Sequence, residues 1–124
     1  MKILLRYCLI FFSFGLFAFV SLDDVVKAIK DGNASELSKY FDNTIEITFP
    51  DKSNAYSKSQ AELVVKDFFN NNIVTNFEIT NKGDNAGVQF VTGTLQTKNG
   101  DYKTSIYLKQ KGDKQLLQEL RFEK

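Results

Sequence analysis

The sequence contains no histidine and no tryptophan, and only one cysteine and one proline in 124 residues. Imidazole is the one side chain that titrates near neutral pH unperturbed, and it is the commonest metal ligand. Its absence excludes histidine-based acid–base catalysis and histidine metal centres. The single cysteine, Cys8, lies inside an N-terminal apolar stretch. A domain cut downstream of it would hold no thiol and no disulfide, which removes redox and cysteine-nucleophile chemistry as well. Phosphate-cradling loops are missing too, because Gly83, Gly87, Gly93, Gly100 and Gly112 each stand alone. Asp23, Asp24 and Asp31 do not have the spacing of a calcium loop. No metal or other cofactor is expected.

What the chain does have is apolar bulk. It is 43% hydrophobic, with twelve phenylalanines and five tyrosines, enough for the core of one domain. The start is positively charged at Lys2 and Arg6 and runs into an apolar stretch from Tyr7 to Leu22, broken only by Ser13, Gly15 and Ser21. This is the pattern of an export signal. The alternative is a membrane anchor, but the uninterrupted apolar part is shorter than the ~20 residues a spanning helix needs, and Asp23 and Asp24 follow at once. The expectation is a signal peptide over residues 1–21, cut between Ala18 and Leu22, and a domain over residues 22–124 that is periplasmic or extracellular, with no lasting membrane anchor. Most of the apolar segment follows Cys8, which argues against a lipid attached there.

Sixteen basic residues face fifteen acidic ones; without Lys2 and Arg6 the balance is one negative charge. Nothing draws such a domain to nucleic acid. The lysines gathered between Lys98 and Lys124 suit solvated strand edges, where they discourage edge pairing.

Along the domain, Leu22, Val25, Val26 and Ile29 share one helical face, with Ser21 and Asp24 as a cap pair and Gly32 as the stop. A second short helix is capped by Asn33 or Ser35 and keeps Leu37, Tyr40 and Phe41 at helical spacing, ending near Asp42 and Asn43. Thr44 to Phe49 alternates as a half-buried strand until Pro50. Asp51 to Tyr56 reads as a polar turn. Ser57 and Gln60 then form a capping box for a longer helix with Ala61, Val64, Val65, Phe68 and Phe69 inward, closed by Asn70, Asn71 and Asn72.

From Phe77 the period becomes two. Strands over about Phe77 to Asn81, Gly87 to Thr97, Asp101 to Gln110 and Gln115 to Glu123 form an antiparallel meander, because the loops between them are short. Two registers suit the central hairpin. A two-residue Asn99-Gly100 turn pairs Thr97 with Tyr102 and puts Val91, Leu95, Ile106 and Leu108 on one face; a bulged three-residue loop pairs Phe90 with Leu108 instead.

This order of helix, helix, strand, helix and antiparallel meander resembles the nuclear transport factor two-like superfamily, an α+β (cystatin-like) cone in which a curved sheet wraps a long helix. Residues 22–124 also resemble a small exported family of unknown function from the Bacteroidota. The resemblance is carried by Asp24 to Ile29 with Gly32-Asn33, Phe41 to Ile45, Tyr56-Ser57-Lys58 with Gln60-Ala61-Glu62, Gly93-Thr94-Leu95 with Tyr102, and Leu116 to Phe122. It implies an architecture, with Phe41, Phe49, Phe68 and Tyr102 as candidate lining residues of the cone. Catalytic sets of the superfamily do not carry over. The isomerases place a general-base aspartate before a proline, where this chain has Phe49, and the dehydratases need a histidine.

Carboxylate and phenol can still do acid–base work when burial shifts them, and Tyr40, Glu46, Tyr102, Tyr107 and Glu119 are the candidates. Each has a plainer role: Glu46 between Ile45 and Ile47 should face solvent, Glu119 suits a cross-strand ion pair, and the tyrosines suit core rings with a wet hydroxyl. The reading is a non-catalytic module for a small apolar ligand or an envelope partner protein, with a mainly aromatic interior and at most a small apolar cavity; the alternative is a small lyase, isomerase or hydrolase. Apolar residues on the outer sheet face suggest a homodimer.

Overall fold

The computed structural model describes residues 22–124. The expected leader, Cys8 and the Ser21 cap lie outside the described residues. Helix α1 covers residues 22–30, and its apolar stripe buries Val25, Ala28 and Ile29. Gly32 ends it with a φ of 62°, a left-handed conformation that glycine adopts without cost. The Gly32 and Asn33 amides then donate to the carbonyls of Ile29 and Ala28, at 3.0 and 2.8 Å, satisfying acceptors the helix end would orphan.

Asn33 begins the next element. Its side-chain oxygen accepts from the Glu36 amide at 3.1 Å and caps α2, Ala34–Ser38. The helical spacing of Tyr40 and Phe41 is not used. The Lys39 and Tyr40 amides tighten onto Glu36 and Leu37, and the Tyr40 carbonyl accepts from the Leu117 amide at 2.6 Å. That bond draws Phe41 into a strand instead, so β1 runs Phe41–Phe49. The segment expected to be a polar turn is strand β2, Lys52–Ser57, a hairpin partner of β1 in which Lys52 lies opposite Phe49.

Helix α3, Lys58–Asn71, is capped as expected, with the Gln60 amide on the Ser57 hydroxyl at 3.4 Å. It buries Ala61, Val65, Phe68 and Phe69, while Val64 is half-buried. The meander follows as β3 (Val74–Asn85), β4 (Val88–Thr97), β5 (Gly100–Lys111) and β6 (Lys114–Glu123). β3 is longer than expected. Its turn is Ala86-Gly87, both at positive φ, and not the Lys82–Asn85 stretch, which stays paired with β4.

The six strands form one curved sheet in the order β2-β1-β6-β5-β4-β3. β1 and β6 are parallel; the other neighbours are antiparallel. The central hairpin takes neither expected register. Thr97 pairs with Gly100 and Leu95 with Tyr102, because the loop is Lys98-Asn99. The Thr97 hydroxyl donates to the Gly100 carbonyl at 2.7 Å and accepts from the Asn99 amide at 3.1 Å, locking that tighter turn. Since this differs by an even number of residues from the Asn99-Gly100 register, the inner face keeps Val91, Leu95, Ile106 and Leu108. Phe90 is left on the outer face against Tyr107, ring centroids 6.5 Å apart, near half-buried Val88 and Leu116.

Between α3 and the inner face the packing is aromatic. Phe68 stacks on Phe122 at 4.4 Å and meets Phe49 at 5.4 Å, Phe69 at 6.0 Å and Tyr102 edge-on at 5.1 Å. Among the described residues no helix is long and apolar enough to cross a membrane.

Candidate functional site

The aromatic stack does not close at one end. β1 ends at Phe49, the chain turns through Pro50 and Asp51, and the start of β2 together with the middle and last turns of α3 borders a cleft of about 610 Å³. This lies within the ~300–1,000 Å³ range of small-molecule sites, and it is larger than the small cavity expected. Phe49, Phe68, Tyr102 and Val64 line its apolar part, while Asp51, Lys52, Asp67, Asn71, Asn72 and Lys124 supply polar groups.

Three of the four expected lining residues therefore meet here. Phe41 does not. With α2 ending at Ser38, Phe41 opens β1 level with Leu117 and is sealed in the core at 2% exposure.

Asn72, the α3 C-cap, shapes the floor. Its backbone amide and its side-chain nitrogen both donate to the Phe68 carbonyl, at 2.8 and 3.0 Å. Its side-chain oxygen accepts from the Tyr102 hydroxyl at 2.7 Å. The buried phenol is thereby satisfied, and its partner is an amide, which exchanges no proton near neutral pH. The pair fixes the ring of Tyr102; it is not an acid–base couple.

The other acid–base candidates do not line the cleft. The Tyr40 hydroxyl donates to Asp24 at 3.2 Å in a separate groove beside Asp31 and Glu36; burial, then the Asp24 charge, raises its pKa. Glu46 and Glu119 are register neighbours on β1 and β6, with Glu119 3.7 Å from Arg121. Tyr107 belongs to the outer face. Among the described residues no group of three or more acidic side chains is placed to hold a metal ion.

Sequence reasoning missed the residues that give the cleft its polarity. Lys52 sits in a segment whose composition reads as a turn, Asn72 reads only as a helix stop, and Lys124 lies beyond the last alternating strand. A signal existed for Asn72 alone: an amide closing a helix that ends in two phenylalanines must find partners when that end is buried.

A second polar cluster is structural. Asp42 is buried where the β1–β6 pairing is irregular, and it accepts from the Asn43 amide at 2.8 Å, Gln118 at 2.6 Å and the Lys111 ammonium at 2.6 Å. The Lys111 hydrogen bond holds the Asp42 carboxyl below its ordinary range, against the opposing effect of burial. A depressed folded-state pKa stabilises the fold above the unfolded value, and that contribution is lost as pH falls through the folded value. Asp42→Asn should therefore lower stability at neutral pH by about 1 kcal/mol, the scale of an ion pair whose lysine is half in solvent. The penalty should vanish well below the carboxylate range, as urea midpoints of both proteins would show; an equal penalty at both pH values would mean that the Lys111 pairing contributes nothing.

The fold has counterparts among solved structures. A family model described as Domain of unknown function (DUF4783) matches residues 22–123. The crystal structure of a DUF4783 family protein from Bacteroides ovatus is 32% identical, with a TM-score of 0.79 over 82% of this chain and 92% of that one. Two more distant structures share the fold alone. An NTF2-like protein of unknown function from Cytophaga hutchinsonii is 6% identical, with a TM-score of 0.59 over 82% of this chain and 83% of that one. An uncharacterized cystatin fold protein from Novosphingobium aromaticivorans is 10% identical, with a TM-score of 0.62 over 86% and 97%. Comparison with curated proteins gives no match. With an α+β fold in which a curved sheet packs on a long helix and a family model spanning nearly all the described residues, the chain belongs to the DUF4783 family.

Proposed function

We propose that this protein is an exported, non-catalytic binding domain that takes a small apolar ligand into the cleft between α3 and the β1–β2 hairpin. One observation carries the reading: the cleft is floored by Phe49, Phe68 and Tyr102, and the phenol among them is engaged by an amide and not by a base. An apolar floor of drug-sized volume supplies affinity, and the few polar groups at its margin supply orientation. The catalytic alternative needs two groups that exchange protons across one substrate; of the candidates only Tyr102 lines the cleft, and Glu46 and Glu119, neighbours on β1 and β6, lie outside it.

Protein recovered from cells expressing the full chain tests both parts of the proposal. Its intact mass should correspond to a start near Leu22, and a neutral naphthyl dye should bind it saturably, one per chain, with quenching of tyrosine emission. A retained leader in the membrane fraction would replace export by anchoring. Non-saturable dye uptake would remove the ligand reading.

A further inference from the structure

The cleft carries two ammonium groups held over its aromatic floor. Lys52 Nζ is 6.0 Å from the centroid of the Phe49 ring and Lys124 Nζ is 5.0 Å from that of Tyr102. Both lysines line the cleft. Among the described residues neither is within ion-pair distance of a carboxylate; Lys27, Lys39, Lys111 and Arg121 are the cations so paired. The arrangement follows from the fold. Lys52 is brought opposite Phe49 by the tight β1–β2 hairpin, and Lys124 directly follows β6, whose Phe122 stacks on both Phe49 and Phe68.

Two exposed ammonium groups without a carboxylate partner, set over an apolar surface, favour a ligand that is apolar and anionic. Each ammonium covers a ring face, so a cationic ligand would have to displace a lysine to reach the π-system it would otherwise favour. An anion meets two donors already in place. Asp51 and Asp67 also line the cleft, but neither is held over a ring. We infer that the ligand is an apolar monocarboxylate: its ring or branched hydrocarbon body lies on Phe49, Phe68 and Tyr102, and its carboxylate is shared between Lys52 and Lys124. This inference rests on the proposed binding role of the same cleft.

The test is a matched set of ligands titrated into protein recovered from cells expressing the full chain: a naphthyl carboxylate, its primary amide and the corresponding amine. The carboxylate should bind about three- to tenfold more tightly than the amide, the range two partly exposed ion pairs provide. In the double variant Lys52→Gln, Lys124→Gln that advantage should disappear while amide affinity is unchanged, and Lys27→Gln, on α1, should leave it intact. Amide or amine binding as tightly as the carboxylate would overturn the anion preference and leave the apolar site standing. Failure of all three to bind would overturn both.

Discussion

Replacing Phe68 by alanine should lower the stability of the domain by about 3–5 kcal/mol, the range for deleting a buried aromatic ring. The ring is 9% exposed and touches four others, Phe49, Phe69, Tyr102 and Phe122. Helix α3 and three strands meet through it. Deletion loses the transfer energy of the ring, and it also leaves a hole that these rings cannot fill without breaking their own contacts, because β1, β5 and β6 are tied together in one sheet. Urea denaturation followed by circular dichroism measures the loss. A change below about 1 kcal/mol, the scale of an exposed substitution, would mean that the ring is a cleft wall and not a packing element.

The second large effect is expected at Gly93, in the middle of β4. Its backbone φ is not left-handed, so its need for glycine is spatial. A Cβ there would lie 2.5 Å from the Glu78 carbonyl oxygen and 2.7 Å from the Phe77 ring. The ring could turn aside, but the carbonyl belongs to the β3–β4 ladder and cannot. Gly93→Val should therefore cost about 1–3 kcal/mol by overpacking and should free β3 amides around Ile79 for hydrogen exchange. Stability equal to the parent would show that β3 can step away from β4 at no cost. Phe77 over Gly93, and Phe90 against Gly83, are rings covering glycines on neighbouring strands, which restores the packing a glycine forfeits in a sheet.

How far these features are legible in the sequence depends on what each residue gains by its placement. α3 could be read in full, because a cap, a helical stripe and a run of asparagines all point to the same element. The inward set Val91, Leu95, Ile106 and Leu108 was readable for a similar reason, since burial enforces the parity of a strand. β2 could not be read: Lys-Ser-Asn-Ala-Tyr-Ser is exposed except at Tyr56, and an edge strand held by its hairpin needs no alternation. The polar half of β3 is hidden in the same way. The hairpin register turned on one hydroxyl, that of Thr97, whose bonds favour Lys98-Asn99 over the stronger-looking Asn99-Gly100 turn.

The site divides along the same line. Phe49, Phe68 and Tyr102 converge because each occupies an inward position that periodicity reveals. Phe41 lies away from the cleft, because α2 ends at Ser38 and Phe41 opens β1 beside Leu117, buried in the core. Lys52 and Lys124 reach the cleft through tertiary geometry alone, the hairpin on one side and the end of β6 on the other. No local pattern marks them.

Val64 offers the most direct test of the proposed ligand site. It is half-buried on α3 and lines the cleft without belonging to the Phe68 stack, so a larger side chain can grow into the empty space. Titration of a neutral naphthyl dye into the parent protein and into Val64→Trp should show saturable binding in the first and none in the second, with the denaturation midpoint nearly unchanged. Equal dye binding by both proteins would contradict the account, because the ligand would then occupy some place other than this cleft.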